Sequence, residues 1–113
     1  MQFRLKPFAT QIKGKILDIG AGTQPYRKLF QVDKYIATNT KRHYDDPTNF
    51  EKYTDVWIED ASTLPFNSNE MDAIICFQVI SVIEDPKKFF IEVKRILKPG
   101  GKFILTSDWL YPT

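Results

Sequence analysis

The stretch Lys15-Ile16-Leu17-Asp18-Ile19-Gly20-Ala21-Gly22-Thr23 sets narrow limits on the rest of the chain. It is a short apolar run that meets an acid and then two glycines one residue apart. Ile16, Leu17 and Ile19 favour the interior of a sheet, and Gly20 and Gly22 free the backbone for a tight turn. Glycines at a strand end let a ligand or a following helix come close. The segment Gln24-Pro25-Tyr26-Arg27-Lys28-Leu29-Phe30 reads as that helix, with Pro25 suited to its first turn. Strand, glycine turn and helix N-terminus together make a nucleotide-type cradle.

At 113 residues the chain reads as one domain, with residues 1–13 as a lead-in to it. Hydrophobic residues make up 42% and charged residues 27%, the balance of a folded globule and neither a disordered nor a membrane chain. The formal charge of +2 is spread among acids, so no basic stripe points to nucleic acid. The single cysteine, Cys76, excludes an internal disulfide and a multi-cysteine zinc site. With Arg4, Lys6 and Pro7 interrupting the apolar residues of the N-terminus, no signal peptide or membrane span is legible, and a cytoplasmic location is expected.

The remaining elements follow in order. Lys34 to Asn39 reads as a second strand, Thr40 to Thr54 as a polar loop with a helical turn near Asn49 to Tyr53, and Asp55 to Asp60 as a third strand. Met71 to Phe77 is continuously apolar apart from Asp72, the mark of a strand covered on both faces. The clearest helix starts at Asp85-Pro86, a capping residue followed by proline, and runs to about Leu97. Phe89, Phe90, Val93, Ile96 and Leu97 form its apolar stripe, with Lys87, Lys88, Glu92, Lys94 and Arg95 on the other side. Lys98-Pro99-Gly100-Gly101 ends it, and Lys102 to Thr106 reads as a fifth strand. Strands alternating with helical connections predict an α/β fold with a parallel sheet and right-handed crossovers.

These segments resemble the class I S-adenosylmethionine-dependent methyltransferases with a Rossmann-like core, from about Gly14 to Ser107. Leu17-Asp18-Ile19-Gly20-Ala21-Gly22-Thr23 is similar to the family's glycine motif, and Asp60-Ala61 with Leu64-Pro65-Phe66 to its segment after the third strand. Met71 to Ile80, with Glu84-Asp85-Pro86, resembles the strand and loop beside the methyl donor; Arg95 to Gly101 resembles the turn before the fifth strand. The resemblance implies helices flanking a parallel sheet of strand order 3-2-1-4-5, and S-adenosylmethionine as cofactor. The family continues with a further helix and two strands, whereas this sequence stops at Thr113, which suggests a truncated form. Phe103-Ile104-Leu105 would then lie on an open sheet edge, a place for a homodimer to pair.

By resemblance, the cofactor-binding residues are Asp18, Gly20, Ala21, Gly22, Asn39, Asp60, Ala61, Phe77 and Gln78. Asp18 is suited to accept hydrogen bonds from turn amides or to help hold the donor's amino acid end. Asp60 and Ala61 match an adenine contact, against the plainer reading of Asp60 as a turn residue; Leu64 and Phe66 read as core packing. Phe77 and Gln78 lie where the family's fourth strand passes the sulfonium. Asn39 stands where the family commonly has an acid for the ribose hydroxyls. A neutral hydrogen bond in place of a charged one weakens such binding by roughly tenfold, and an asparagine that caps a turn is an equal reading. The third glycine of a dinucleotide fingerprint is absent, which sets a nicotinamide cofactor third.

No catalytic residue is assigned, because displacement at a sulfonium needs alignment more than a base. Where related enzymes carry an acid and a histidine in the fourth-strand loop, this chain has Val79-Ile80-Ser81-Val82-Ile83. His43 reads as a solvated loop residue and Cys76 as a buried one. The expected function is methyl transfer to a small-molecule or sugar-linked acceptor, without nucleic acid or membrane as partner. A non-catalytic interaction domain that pairs through its sheet edge is the alternative.

Overall fold

The computed structural model describes residues 12–25, 27–41, 46–77 and 85–106, and of Phe77 and Thr106 the backbone alone. Five parallel strands form one sheet: β1 (Lys15–Ile19), β2 (Lys34–Thr40), β3 (Val56–Ile58), β4 (Met71–Phe77) and β5 (Leu97–Thr106), in the order β3-β2-β1-β4-β5. This is the Rossmann-like order expected. β1 is central because both its neighbours cover it, and its apolar side chains divide between the two faces. Ile16 packs on one face with Tyr35, Ala37, Ala73 and Ile75; Leu17 and Ile19 pack on the other with Ile36, Ile74 and Cys76.

Helix α1 (Pro86–Ile96) covers the second face. It starts as its sequence dictates: Asp85 accepts from the Lys88 N–H at 3.1 Å, and Pro86 fills the first position, where no intrahelical donor is required. Phe89, Val93 and Ile96 are buried, each contributing roughly 1.5–3 kcal/mol. Phe90 is 43% exposed, so only its edge joins the stripe, against Phe89 and Phe103 with ring centres 5.4 and 6.0 Å away. Leu97 belongs to β5, which opens opposite Met71, loops out over Lys98 to Gly101 and resumes at Lys102 opposite Ala73. The fifth strand therefore begins earlier than expected, with the Pro-Gly-Gly turn inside it as an irregularity. Gly101 fits where a Cβ would meet Lys98 O at 2.9 Å.

Two other expectations change. The segment after the glycine turn is not an α-helix but a single 3₁₀ turn, Arg27–Leu29. Gln24 takes φ +61°, so the chain leaves one left-handed turn through another, and the bonds that follow run three residues back, Arg27 N to Gln24 O at 3.3 Å and Phe30 N to Arg27 O at 3.1 Å. The third strand is shorter than expected, because Asp55 and Asp60 serve its ends. Asp55 accepts from the Ala37 N–H at 2.8 Å, and Asp60 turns the chain out of the sheet. The helical turn expected near Asn49 is a 3₁₀ segment, Pro47–Tyr53, capped by Asp46.

The amino end of the sheet is pinned by Asp72. Its Oδ2 accepts from the Lys15 N–H at 2.8 Å, and Lys98 Nζ lies 3.2 Å from Oδ1. Gly14, at φ +89°, leaves the room this needs, since a Cβ there would fall 2.2 Å from Asp72 Oδ2. Nearly all of the lead-in, with Tyr26, His43, Tyr44, Gln78 and the Val79 to Ile83 loop, lies outside the described residues. Among those described, β5 is one of the two edge strands, and Phe103, Ile104 and Leu105 are half-buried rather than bare.

Candidate functional site

Parallel strands put the carboxyl ends of β1 to β4 on one rim, and most of the expected site residues gather there. The β1 end turns at Gly20, φ +70°, and Gly22, φ +58°, the left-handed region that glycine adopts without strain. Between them Ala21 is buried, and its N–H donates to Thr38 O on β2 at 2.9 Å. Among the described residues nothing lies within 4 Å of the place where a Cβ at Gly22 would stand. The turn is thus fixed from beneath and open on its outer side.

Asn39 is what fixes it. Its side chain is fully buried; Oδ1 accepts from the Gly22 N–H at 2.8 Å and Nδ2 donates to Gly22 O at 3.3 Å. Nδ2 also donates to Thr54 Oγ1 at 2.7 Å, and that hydroxyl donates to Phe50 O at 2.7 Å. The amide thereby ties the glycine turn to the Pro47–Tyr53 segment. Of the two sequence expectations for Asn39, ribose contact and turn brace, this geometry is that of the brace.

Asp18 is also buried, on the face of β1 that carries Ile16. Its partner is the Tyr35 hydroxyl, which donates to Oδ2. Burial pushes the Asp18 carboxyl up to about 7, against the downward pull of that hydrogen bond. Burial also pushes up the Tyr35 phenol, and the Asp18 charge adds to it. Cys76 on β4 is fully buried, and burial raises its thiol well above the usual range, which leaves it protonated and inert as a nucleophile.

Beyond β3, Asp60 Oδ1 accepts from the Ser62 N–H at 2.7 Å and from the Ser62 hydroxyl, so the acid closes the turn that carries Ala61. Leu64 is buried and Phe66 half-buried against the α1 face, as expected. Two clefts open beside this loop and share Trp57, Ile58 and Glu59. One, of about 380 Å³, is completed by Lys41, whose ammonium sits 5.4 Å above the Trp57 ring; the other, of about 370 Å³, by Asp60, Thr63, Leu64 and Pro65. Phe77 ends β4 on the same rim, and Gln78 falls outside the described residues.

A pair that the sequence placed on the solvated side of the helix holds the loop instead. Glu92 Oε2 accepts from the Leu64 N–H at 2.7 Å, while Arg95 donates to Leu64 O at 3.2 Å and to Phe66 O at 2.9 Å. The two side chains bond each other, Arg95 Nε to Glu92 Oε1 at 2.6 Å, which holds the Glu92 carboxyl below its ordinary range. Replacing Arg95 removes its donors from Leu64 O and Phe66 O, and of the two Leu64 O keeps the Phe66 N–H at 2.8 Å. Arg95→Ala is expected to cost about 1–3 kcal/mol by urea denaturation and to speed hydrogen exchange at the Leu64 amide, and unchanged exchange there would contradict the clamp.

Residues 17–105 match the model of a family described as a methyltransferase domain. An uncharacterized protein of Methanocaldococcus jannaschii is 35% identical over 98 residues, 82% of this chain and 44% of its own length. The demethylmenaquinone methyltransferase of Renibacterium salmoninarum is 37% identical over 54 residues, 48% of this chain and 22% of its own. Among solved structures, the YcgJ protein of Bacillus subtilis superposes with a TM-score of 0.72 at 28% identity, over 92% of this chain and 48% of that one. A candidate methyltransferase of Bacillus halodurans gives 0.73 at 23% identity, over 92% and 49%. The chain covers less than half the length of these relatives.

Proposed function

The chain belongs to the methyltransferase-domain family, and from that premise we propose that it is the donor-binding core of an S-adenosylmethionine-dependent methyltransferase. The observation that carries the reading is the turn at the end of the central strand, left-handed at Gly20 and Gly22, braced by Asn39 and open where a side chain at Gly22 would stand.

The residues present fit the donor. Gly20, Ala21 and Gly22 allow backbone to approach its amino acid end, and the buried Asp18 carboxyl, two residues before Gly20, is the nearby acid. Asp60 lines the cleft beyond β3, with Ala61 next to it in the chain, and there a carboxylate oxygen and a backbone amide would suit the edge of adenine. Phe77 ends β4, where the methyl-bearing part would pass. When bound, the donor supplies a sulfonium methyl, which passes to an acceptor lone pair while the sulfur keeps the C–S electrons as a thioether. The protein's share is to hold the two reactants in line. The acceptor in this reading is a small molecule, in keeping with the demethylmenaquinone in one relative's name.

Calorimetric titration with S-adenosylhomocysteine tests the reading. Micromolar binding is expected, and Gly20→Val should weaken it at least tenfold, because φ +70° is strained for a β-branched residue. A folded wild-type chain that does not bind the ligand would overturn the proposal.

A further inference from the structure

Tyr35 carries no role in the reading above, yet it closes a circuit around the glycine turn. It lies two residues before Ala37, the register partner of Asp18, and so shares a sheet face with that acid. Its hydroxyl donates to Asp18 Oδ2 in the core. Its ring lies 6.4 Å from that of Phe30, and the Arg27 guanidinium sits 5.2 Å from its centre. Arg27 donates in turn to Gln24 Oε1 at 3.0 Å. Gln24 completes the circuit, its N–H donating to Ala21 O at 2.9 Å and its amide to Tyr53 O at 2.6 Å. Asp18 thus enters the turn, Gln24 leaves it, and Tyr35 joins the two from beneath.

We propose that Tyr35 is a positioning residue: it fixes the Asp18 carboxyl under the Gly20–Gly22 turn, so that the charge on that carboxyl sets how tightly the turn holds a ligand bearing an ammonium or sulfonium cation. The inference rests on the donor-binding reading. Among the described residues, Asp18 interacts with Tyr35 on β2 and Cys76 on β4, and Tyr35 also interacts with Arg27 and Asp55. Of Asp18 and its two immediate partners, only the carboxyl titrates near neutrality, since burial pushes both the thiol and the phenol upward. An ionised carboxylate in a poorly screened interior attracts a nearby cation, and a protonated one does not. The Tyr35 hydroxyl favours the ionised form, so its loss moves the titration to higher pH.

The experiment is calorimetric titration of the chain with S-adenosylhomocysteine, which carries the ammonium group, from about pH 5.5 to about pH 8.5. Wild-type affinity should climb with pH and level near 7. Tyr35→Phe should move that levelling up by about one unit, and Asp18→Asn should flatten the profile. A wild-type profile without pH dependence, or a folded Tyr35→Phe that levels where the wild type does, overturns the role of Tyr35 and leaves donor binding intact. If Tyr35→Phe does not fold, an Asp18→Asn protein that keeps the wild-type slope overturns it equally. Failure of the wild type to bind at every pH brings down the donor-binding reading itself, and the inference with it.

Discussion

Stability is expected to fall by about 4 kcal/mol as pH rises from about 4 to about 7, and Asp18→Asn should abolish most of that fall. The sign follows from where the proton sits. Below about pH 4 the Asp18 carboxyl is protonated in both the folded and the unfolded chain, and the buried site costs nothing extra. Between there and about 7 the unfolded chain ionises while the folded chain keeps its proton, so rising pH favours unfolding. Above 7 both are ionised and the loss is complete. Glu70, Asp72 and Glu92 pull the other way: hydrogen bonds hold their carboxyls low, so they contribute stability above their unfolded titration range and lose it as pH falls through the folded one. They are half-buried and still reached by solvent, and each pair is worth about 1 kcal/mol. The buried acid should therefore dominate, and urea denaturation across this pH range would show it. Parallel curves for wild type and Asp18→Asn would refute the account.

An acid that weakens its own fold at neutral pH is what a binding site tolerates and a core does not. At that position an apolar residue would complete the packing of Ile16, Ala37 and Ile75 without any titration. Its place two residues before Gly20, with the rim clefts beyond β2 and β3 on the same end of the sheet, accords with the donor-binding role proposed for that turn.

Much of the architecture was legible because local signals agreed with it. The apolar run Met71 to Phe77, the Asp85-Pro86 start of the helix and the two glycines after Ile19 each have one ready physical solution; their alternation gives the parallel sheet, and the family resemblance they carry gives its strand order. The failures lie where distant partners decide. Gln24-Pro25 resembles a helix start, but φ +61° at Gln24 is imposed by its ties to Ala21 and Tyr53. Glu92 and Arg95 look like any exposed pair three residues apart, and only the return of the Leu64 to Phe66 loop beneath them makes them a clamp. Tyr35 reached Asp18 through parallel register, which no single strand announces. At Asn39 the residue type was informative but its partner was not, since Thr54 stands in a polar loop with no pattern of its own.

Asn39 therefore gives the sharper test. Asn39→Ala should cost about 2–4 kcal/mol, by leaving the Gly22 N–H without its acceptor, removing the donor to Thr54 Oγ1 and opening a void in the core. Asn39→Asp is the more decisive change, because it installs the acid that the family resemblance implies for ribose and alters no shape. Oδ1 would still accept from Gly22, but the other oxygen would face Gly22 O and Thr54 Oγ1, both acceptors here, since the threonine's one proton is given to Phe50 O. A buried carboxylate against two lone pairs should destabilise the chain by about 2–3 kcal/mol near neutral pH, and the loss should shrink on acidification as the carboxyl gains the proton it lacks. Its affinity for S-adenosylhomocysteine should not rise. An Asn39→Asp protein as stable as the wild type that binds the ligand tenfold more tightly would show that this position serves the ligand directly and that the glycine turn holds its shape without the amide.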